Sequence, residues 1–234
     1  MEKCLLSIDW DYFIWAPKEH GRSYWENGKN LLTTWYKRYL QLKSGGVNID
    51  KVFRLSPEVG VFWEKIKQYF RWEKGLQAYV SDSHALSYYL AKEHDCQVVY
   101  LFDAHADLGY GGLASLEFQV HCGNWLGKLL KEKQVQKAYI FYSPATWEKP
   151  EDFREQNSLY PINYLRSWAE LKKEIPVSVI HICRSGAWTP PWLDQKFGEF
   201  LQGLGLPYKN LDCRPRKWDV SNLSLAQQID CLLA

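Results

Sequence analysis

Several absences narrow what this chain can be. No window approaches the roughly 18 uninterrupted apolar residues of a membrane span, so no spanning helix is expected. Neither sign of charge dominates. The 29 Lys and Arg stand against 27 Asp and Glu, for a formal net charge of +2, which predicts no broad attraction to nucleic acid or to an anionic membrane. The cysteines at 4, 96, 122, 183, 213 and 231 form no CxxC pair and no ladder of short spacings. A zinc knuckle is thereby disfavoured, and six reduced thiols are the expectation. The apolar stretch after Met1 is too short for a signal peptide, and acids follow at once, so a cytoplasmic protein is expected. Internal repeats, low-complexity stretches and a convincing interdomain linker are all missing. With 15 Gly and 10 Pro in 234 residues, disordered and collagen-like chains are excluded. The surplus is aromatic: 12 Trp, 15 Tyr and 10 Phe against a single Met. Such a load can fill a core or line a groove for a peptide or sugar, and composition leaves both open.

Short apolar runs alternate with helical patterns. Buried strands are predicted at 5–8, 98–102, 138–142 and 177–183. Between them Phe62, Ile66, Tyr69 and Phe70 share a helical face, as do Leu86, Tyr89 and Leu90, and again Trp125, Leu126, Leu129 and Leu130. Further helices are expected at 31–43, closed by Gly45-Gly46, and at 192–204 and 223–233. The segment 17–30 reads as a surface excursion near the site. This alternation predicts one α/β domain over residues 1–234 with a mainly parallel sheet.

In such sheets ligands bind at the carboxyl ends of the strands, and two predicted strands run straight into acids. The 98–102 strand leads into Asp103-Ala-His105-Ala-Asp107, and the 5–8 strand into Asp9-Trp-Asp11. Along an extended chain alternate side chains point the same way, so each set is expected to face one point. Ser81-Asp-Ser-His84 opens a helix and places an imidazole at a strand-to-helix turn. One such Asp alone is most often a cap or turn residue; two carboxylate sets plus a placed histidine are harder to dismiss. Four carboxylates and two imidazoles without a thiolate suit Mn²⁺ better than a closed structural zinc. Two divalent ions sharing carboxylates would use all six ligands and cancel the repulsion among four buried acids.

These residues resemble the arginase (ureohydrolase) superfamily. Phe102-Asp-Ala-His-Ala-Asp107 matches its DAHxD motif, and His84, 19 residues before Asp103, falls where that family has its first histidine ligand. Ser7-Ile-Asp9-Trp-Asp11 resembles SxDxD, and His121-Cys-Gly-Asn, beginning 16 residues after His105, resembles the histidine-glycine segment that follows DAHxD. The matched segments are short and spread over the first half of the chain. In ordinary arginases SxDxD follows DAHxD; here it opens the chain. That order, the compact length and the N-terminal SIDxDYF resemble a divergent branch, the peptide arginases of bacterial ribosomal-peptide pathways. The resemblance implies a three-layer α/β/α arginase-like sandwich with permuted motif order.

It also implies two Mn²⁺ per chain. His84, Asp103, Asp107 and Asp9 would hold one, and His105, Asp103, Asp9 and Asp11 the other. The implied reaction converts arginine side chains of a precursor peptide to ornithine with release of urea, through a hydroxide bridging the two ions. Asp107 would carry a proton to the leaving amine. His121 would relay one to solvent, or serve as a polar residue opening a helix. Glu58, 47 residues after Asp11, is a candidate for binding the guanidinium or a solvated turn acid. Trp188, in the turn 184–191 after the last predicted strand, would flank a peptide or pack a loop. Trp10, Trp15, Trp25, Trp188 and Trp192 favour an extended apolar groove, and the basic turn 214–217 would attract an acidic leader. A homo-oligomer is left open. The competing readings are a single-zinc deacetylase of the same fold, disfavoured because no His-His pair exists, a free-arginine or agmatine ureohydrolase, and a non-catalytic module that keeps its metal for shape.

Overall fold

Buried on both faces, a parallel strand reads as a continuous apolar run, and the chain supplies several. In the computed structural model, which describes residues 2–17 and 31–233, the strands in chain order are β1 (Cys4–Asp9), β2 (Ile14–Trp15), β3 (Arg54–Leu55), β4 (Phe70–Ser81), β5 (Val98–Asp103), β6 (Lys137–Tyr142), β7 (Ile162–Leu165), β8 (Ile175–Cys183) and β9 (Lys209–Asn210). Seven of them form one sheet in the order β7-β6-β5-β1-β8-β4-β9, every pairing parallel. β2 and β3 make a small antiparallel ribbon. The helices are α1 (Leu31–Ser44), α2 (Ile49–Val52), α3 (Phe62–Tyr69), α4 (Leu86–Glu93), α5 (Trp125–Lys131), α6 (Arg154–Leu159), α7 (Asp194–Gly203) and α8 (Leu225–Leu233). With helices flanking the sheet, the architecture is the expected three-layer α/β/α sandwich. Among the described residues no helix is long and apolar enough to cross a membrane.

The two sheet faces carry two separate cores, and strand alternation decides which residue serves which. Leu6 and Ile8 of β1, Tyr100 and Phe102 of β5, and Ile180 and Ile182 of β8 pack with α1, α3 and α7. Leu5, Val99, Leu101, Val179 and Tyr79 pack with α4 and α5 on the other side. By the same alternation Ser7, Asp9, Ser81, Asp103 and His181 point to the α4/α5 face.

The four predicted strands are present, each within two residues of its expected bounds, and three strands of the sheet carry no comparable sequence signal. β4 reads Phe-Arg-Trp-Glu-Lys-Gly-Leu-Gln, too polar to signal a strand. Its register shifts between Trp72 and Gln77, around Gly75 at φ +86°. Phe70 begins this strand instead of closing the α3 face. In α4 the inward residues are Ser87, Tyr88, Leu90 and Ala91, and Tyr89 is exposed. A short turn, Pro191–Leu193, precedes α7, and α8 starts at Leu225. All six cysteines are unbridged. The expected excursion at 17–30 lies outside the described residues from 18 on, and so does Trp25.

Candidate metal centre

The carboxyl ends of β1, β5 and β4 bring the acids and histidines together through turns instead of extended alternation. Asp9 ends β1 and caps the helical turn Trp10–Phe13, its Oδ1 accepting the Asp11 N–H at 3.0 Å. The turn carries Asp11 back over the sheet edge, where its Oδ1 accepts the Ala104 N–H at 3.2 Å. Asp103 ends β5 and its Oδ1 accepts the His105 N–H at 2.8 Å. The chain then bends, and Asp107 adopts φ +52°, a left-handed conformation that a non-glycine residue rarely adopts and that costs on the order of 1 kcal/mol. That backbone is held from α5: the Asp107 carbonyl accepts from Leu126 and Gly127, and its Oδ2 takes the Trp125 indole N–H at 2.5 Å. His84 lies two residues before α4, at the predicted strand-to-helix turn.

Three carboxylate oxygens converge on one imidazole nitrogen. His84 Nδ1 is 2.9 Å from Asp107 Oδ2, 3.0 Å from Asp103 Oδ2 and 3.1 Å from Asp9 Oδ2. His105 Nδ1 is 3.0 Å from Asp11 Oδ2 and 3.5 Å from Asp103 Oδ1. Two groups thus have ligand atoms close enough to hold a metal ion, Asp9-His84-Asp103 and Asp11-Asp103-His105. Asp103 belongs to both and offers one oxygen to each. Asp9 joins only the first group; its Oδ1 accepts the Asp11 N–H and its Oδ2 also accepts from the Ser185 hydroxyl.

The electrostatics show acids crowded against one another and against two imidazoles. Burial, then Asp11, pushes the Asp9 carboxyl up to about 6. Burial, followed by Asp11, Asp107 and Asp9, pushes Asp103 well above the carboxylate range. Burial would raise Asp11 too, but His105 overcomes it and holds that carboxyl low. Burial disfavours charge on both imidazoles, yet the surrounding acids raise His84 and His105 well above the ordinary histidine value. Asp103 Oδ2 is buried and faces the His84 Nδ1 at 3.0 Å, so a buried carboxylate and an imidazole nitrogen point at the same small space, an arrangement a cation would satisfy. Hard oxygens and imidazoles in this arrangement could hold a divalent metal ion.

Above the centre opens a cavity of about 690 Å³. Asp9, Asp11, His84, His105 and Asp107 line it, with Tyr110, His121, Trp147, Glu148 and Trp188 around them. His121 is exposed and its Nδ1 accepts the Gly123 N–H at 3.2 Å; burial of part of the ring, with Lys128, lowers its pKa against the pull of Asp107. Trp188 is half-buried, its ring 6.0 Å from that of His105.

Glu58 is not part of this cavity. Its carboxylate takes Lys65 at 3.2 Å, the Trp168 indole at 3.3 Å and the Tyr12 hydroxyl at 3.4 Å, as an anchor beside the aromatic core. The acid on the cavity wall is Glu148, whose Oε2 accepts the Ala106 N–H at 2.8 Å and whose pKa is raised by burial. It follows β6 by six residues, so applying the carboxyl-edge rule to a third strand would have reached it. The basic turn is also employed otherwise. Arg216 binds Asp194 and the carbonyls of Gly186 and Thr189, and Arg184 forks onto Asp82 at 2.6 and 2.9 Å. These bonds pin the loop that presents Ser185 and Trp188. Among the tryptophans, Trp10 is fully buried, Trp192 packs against Trp35, Phe53 and Trp218, and Trp15 is exposed. Comparison with known protein families, curated proteins and solved structures returned no match.

Proposed function

We propose that this chain is a manganese-dependent hydrolase that converts arginine side chains of a peptide to ornithine and urea. The observation that carries the reading is the pair of Asp/His groups sharing Asp103 on the floor of a cavity of about 690 Å³, far roomier than a guanidinium needs. His84, Asp9, Asp103 and Asp107 would hold one ion, and His105, Asp11 and Asp103 the second. Bound there, divalent ions supply a water made acidic near neutral pH and cancel the charge of the acids.

The remaining steps belong to the chain's own groups. A guanidinium is planar and offers paired N–H donors, which a carboxylate matches in a two-bond fork; Glu148 on the wall takes that role, which the sequence had suggested for Glu58. Asp107, its Oδ2 fixed by the Trp125 indole, receives the proton of the attacking water and passes it to the departing amine. His121 at the mouth keeps Nδ1 as an acceptor from Gly123, so in its neutral form Nε2 carries the proton. A lowered pKa keeps the ring neutral around pH 7 and able to exchange protons with solvent. Trp188 and Trp147 offer faces for the flanking residues of an extended substrate.

The test is incubation of the Mn²⁺-loaded protein with arginine-containing peptides, followed by mass spectrometry and a urea assay. A loss of CH₂N₂ per modified arginine, with matching urea, is expected. Neither product from any peptide, with manganese bound, would refute the reading; urea from free arginine alone would move it to a small-molecule ureohydrolase.

A further inference from the structure

Behind the candidate centre, away from the cavity, runs a chain of buried hydroxyls and a second histidine that the chemistry above does not use. His84 Nε2 lies 2.8 Å from Ser7 Oγ, Ser7 Oγ is 2.9 Å from Ser87 Oγ, and Ser87 Oγ is 2.6 Å from His181 Nδ1. On its other side His181 Nε2 is 2.7 Å from Ser81 Oγ, whose hydroxyl donates to the Ser83 carbonyl at 2.8 Å. All five side chains are at most 1% exposed. Sheet register explains the assembly: Ser7 of β1 pairs directly with His181 of β8, which pairs with Tyr79 of β4, two residues before Ser81.

The direction of every bond follows from one end. A carbonyl can only accept, so the single Ser81 proton goes to Ser83 and Ser81 Oγ must accept from His181 Nε2–H. A neutral His181 then has Nδ1 as acceptor, and Ser87 spends its proton there. Ser87 Oγ therefore accepts from Ser7, and Ser7 Oγ accepts from His84 Nε2–H. His181 is fully buried and its two ring nitrogens meet the Ser81 and Ser87 hydroxyls, so neither nitrogen faces a carboxylate that would hold a second proton on the ring.

We propose that His181, acting through Ser87 and Ser7, is a positioning residue that leaves neutral His84 a single tautomer, the one whose Nδ1 lone pair faces Asp9, Asp103 and Asp107. This rests on the reading of His84 as a metal ligand. A ring free to carry its proton on Nδ1 would donate to those carboxylates and compete with the ion. The Ser83 carbonyl that starts the relay is one residue from His84, so the loop bearing the ligand also sets its protonation.

Removing the Ser81 or Ser87 hydroxyl frees the chain to reverse. Disturbed outer hydrogen bonds of this kind cost roughly 10- to 100-fold in metal affinity. Mn²⁺ binding, followed by loss of the free-ion EPR signal, is expected to weaken by that factor in Ser81→Ala and Ser87→Ala, and to recover in Ser81→Thr, each variant keeping the folded near-UV circular dichroism of the wild type in EDTA. Wild-type protein that binds no Mn²⁺ would overturn the metal reading and the proposal together. Normal wild-type binding with both alanine variants indistinguishable from it overturns the relay alone, as does a loss that Ser81→Thr shares. A readout independent of variants is ¹⁵N NMR of labelled histidines in the metal-free wild type. It must show His181 protonated at Nε2; a proton on Nδ1 refutes the relay.

Discussion

Replacing Asp9 by asparagine should make the metal-free protein more stable while removing its response to manganese. Asp9 is fully buried beside Asp11, and its carboxyl is pushed from 3.8 to about 6, chiefly by burial. The unfolded chain titrates near the ordinary value, so the folded state binds the extra proton between these limits. The penalty for keeping Asp9 ionised is therefore complete above about pH 6 and gone below about pH 4. A shift of roughly two pKa units corresponds to about 3 kcal/mol at neutral pH. Asparagine keeps an oxygen to accept the Asp11 N–H, and it is as good a cap as aspartate, so the charge is the main change. In a chain of this length about 3 kcal/mol should raise the midpoint by roughly 6–12 °C. Thermal unfolding in EDTA at pH 8 and pH 4.5 reads this directly: the variant should lead at pH 8 and keep only about a third of that lead at pH 4.5. With saturating Mn²⁺ the order should invert, because binding to the native state stabilises wild type by about 4 kcal/mol at a thousandfold excess over Kd. An Asp9→Asn variant that is less stable in EDTA by the same margin at both pH values would refute the argument.

Other outcomes follow from the same geometry. Asp103→Asn removes the carboxylate common to both groups, so metal analysis should find both ions lost, whereas His105→Ala should lose only one. Because His84 and His105 hold raised pKa values through their acid neighbours, protons compete with the ion, and Mn²⁺ affinity measured from pH 5.5 to 8 should rise throughout. Glu148→Gln should leave metal content intact and raise KM for an arginine peptide by roughly 10- to 100-fold, the worth of one charge-assisted hydrogen bond; an unchanged KM removes Glu148 from substrate binding. His121→Ala should lower kcat by about 100-fold, partly restored by added imidazole, with KM little changed.

Much of the scaffold is legible because its central strands are apolar along their length: β1, β5, β6 and β8 carry runs that no surface segment would. β4 is hidden by its exposed first half, where Arg71, Lys74 and Gly75 break the apolar pattern before Ala78 reaches the core. The acids stand out for a sound reason, their place at strand ends, although they converge by another route than alternation along an extended chain. A helical turn delivers Asp11 and a left-handed residue delivers Asp107. Glu58 misleads because distance along the chain says nothing about which side of a sheet a loop reaches. His181 cannot be singled out from the sequence, since a histidine inside a strand acquires meaning only through the register that sets it beside Ser7 and Ser81.

The aromatic surplus turns out to serve the acids more than the cavity. In the segment Asp9-Trp10-Asp11-Tyr12-Phe13 the turn sends acids and rings to opposite sides. Trp10 lies 5.2–5.3 Å from the rings of Phe13, Phe197 and Phe200, and Tyr12 meets Phe62 and Phe102 at 6.0 and 5.7 Å. Burying a large ring on the far side of the same turn fixes the backbone that carries each carboxylate, since a packed aromatic has almost no rotamer freedom left. Trp125 works similarly from α5: its ring is fully buried and its indole N–H holds Asp107. Carboxylates this close repel wherever they are ionised, and on flexible loops they would spread apart at little cost. Here the spreading motion would expose Trp10 or Trp125 to water, at roughly 2–3 kcal/mol for each side chain. The crowding of acids that a cation would relieve is thus maintained by the hydrophobic packing beneath them.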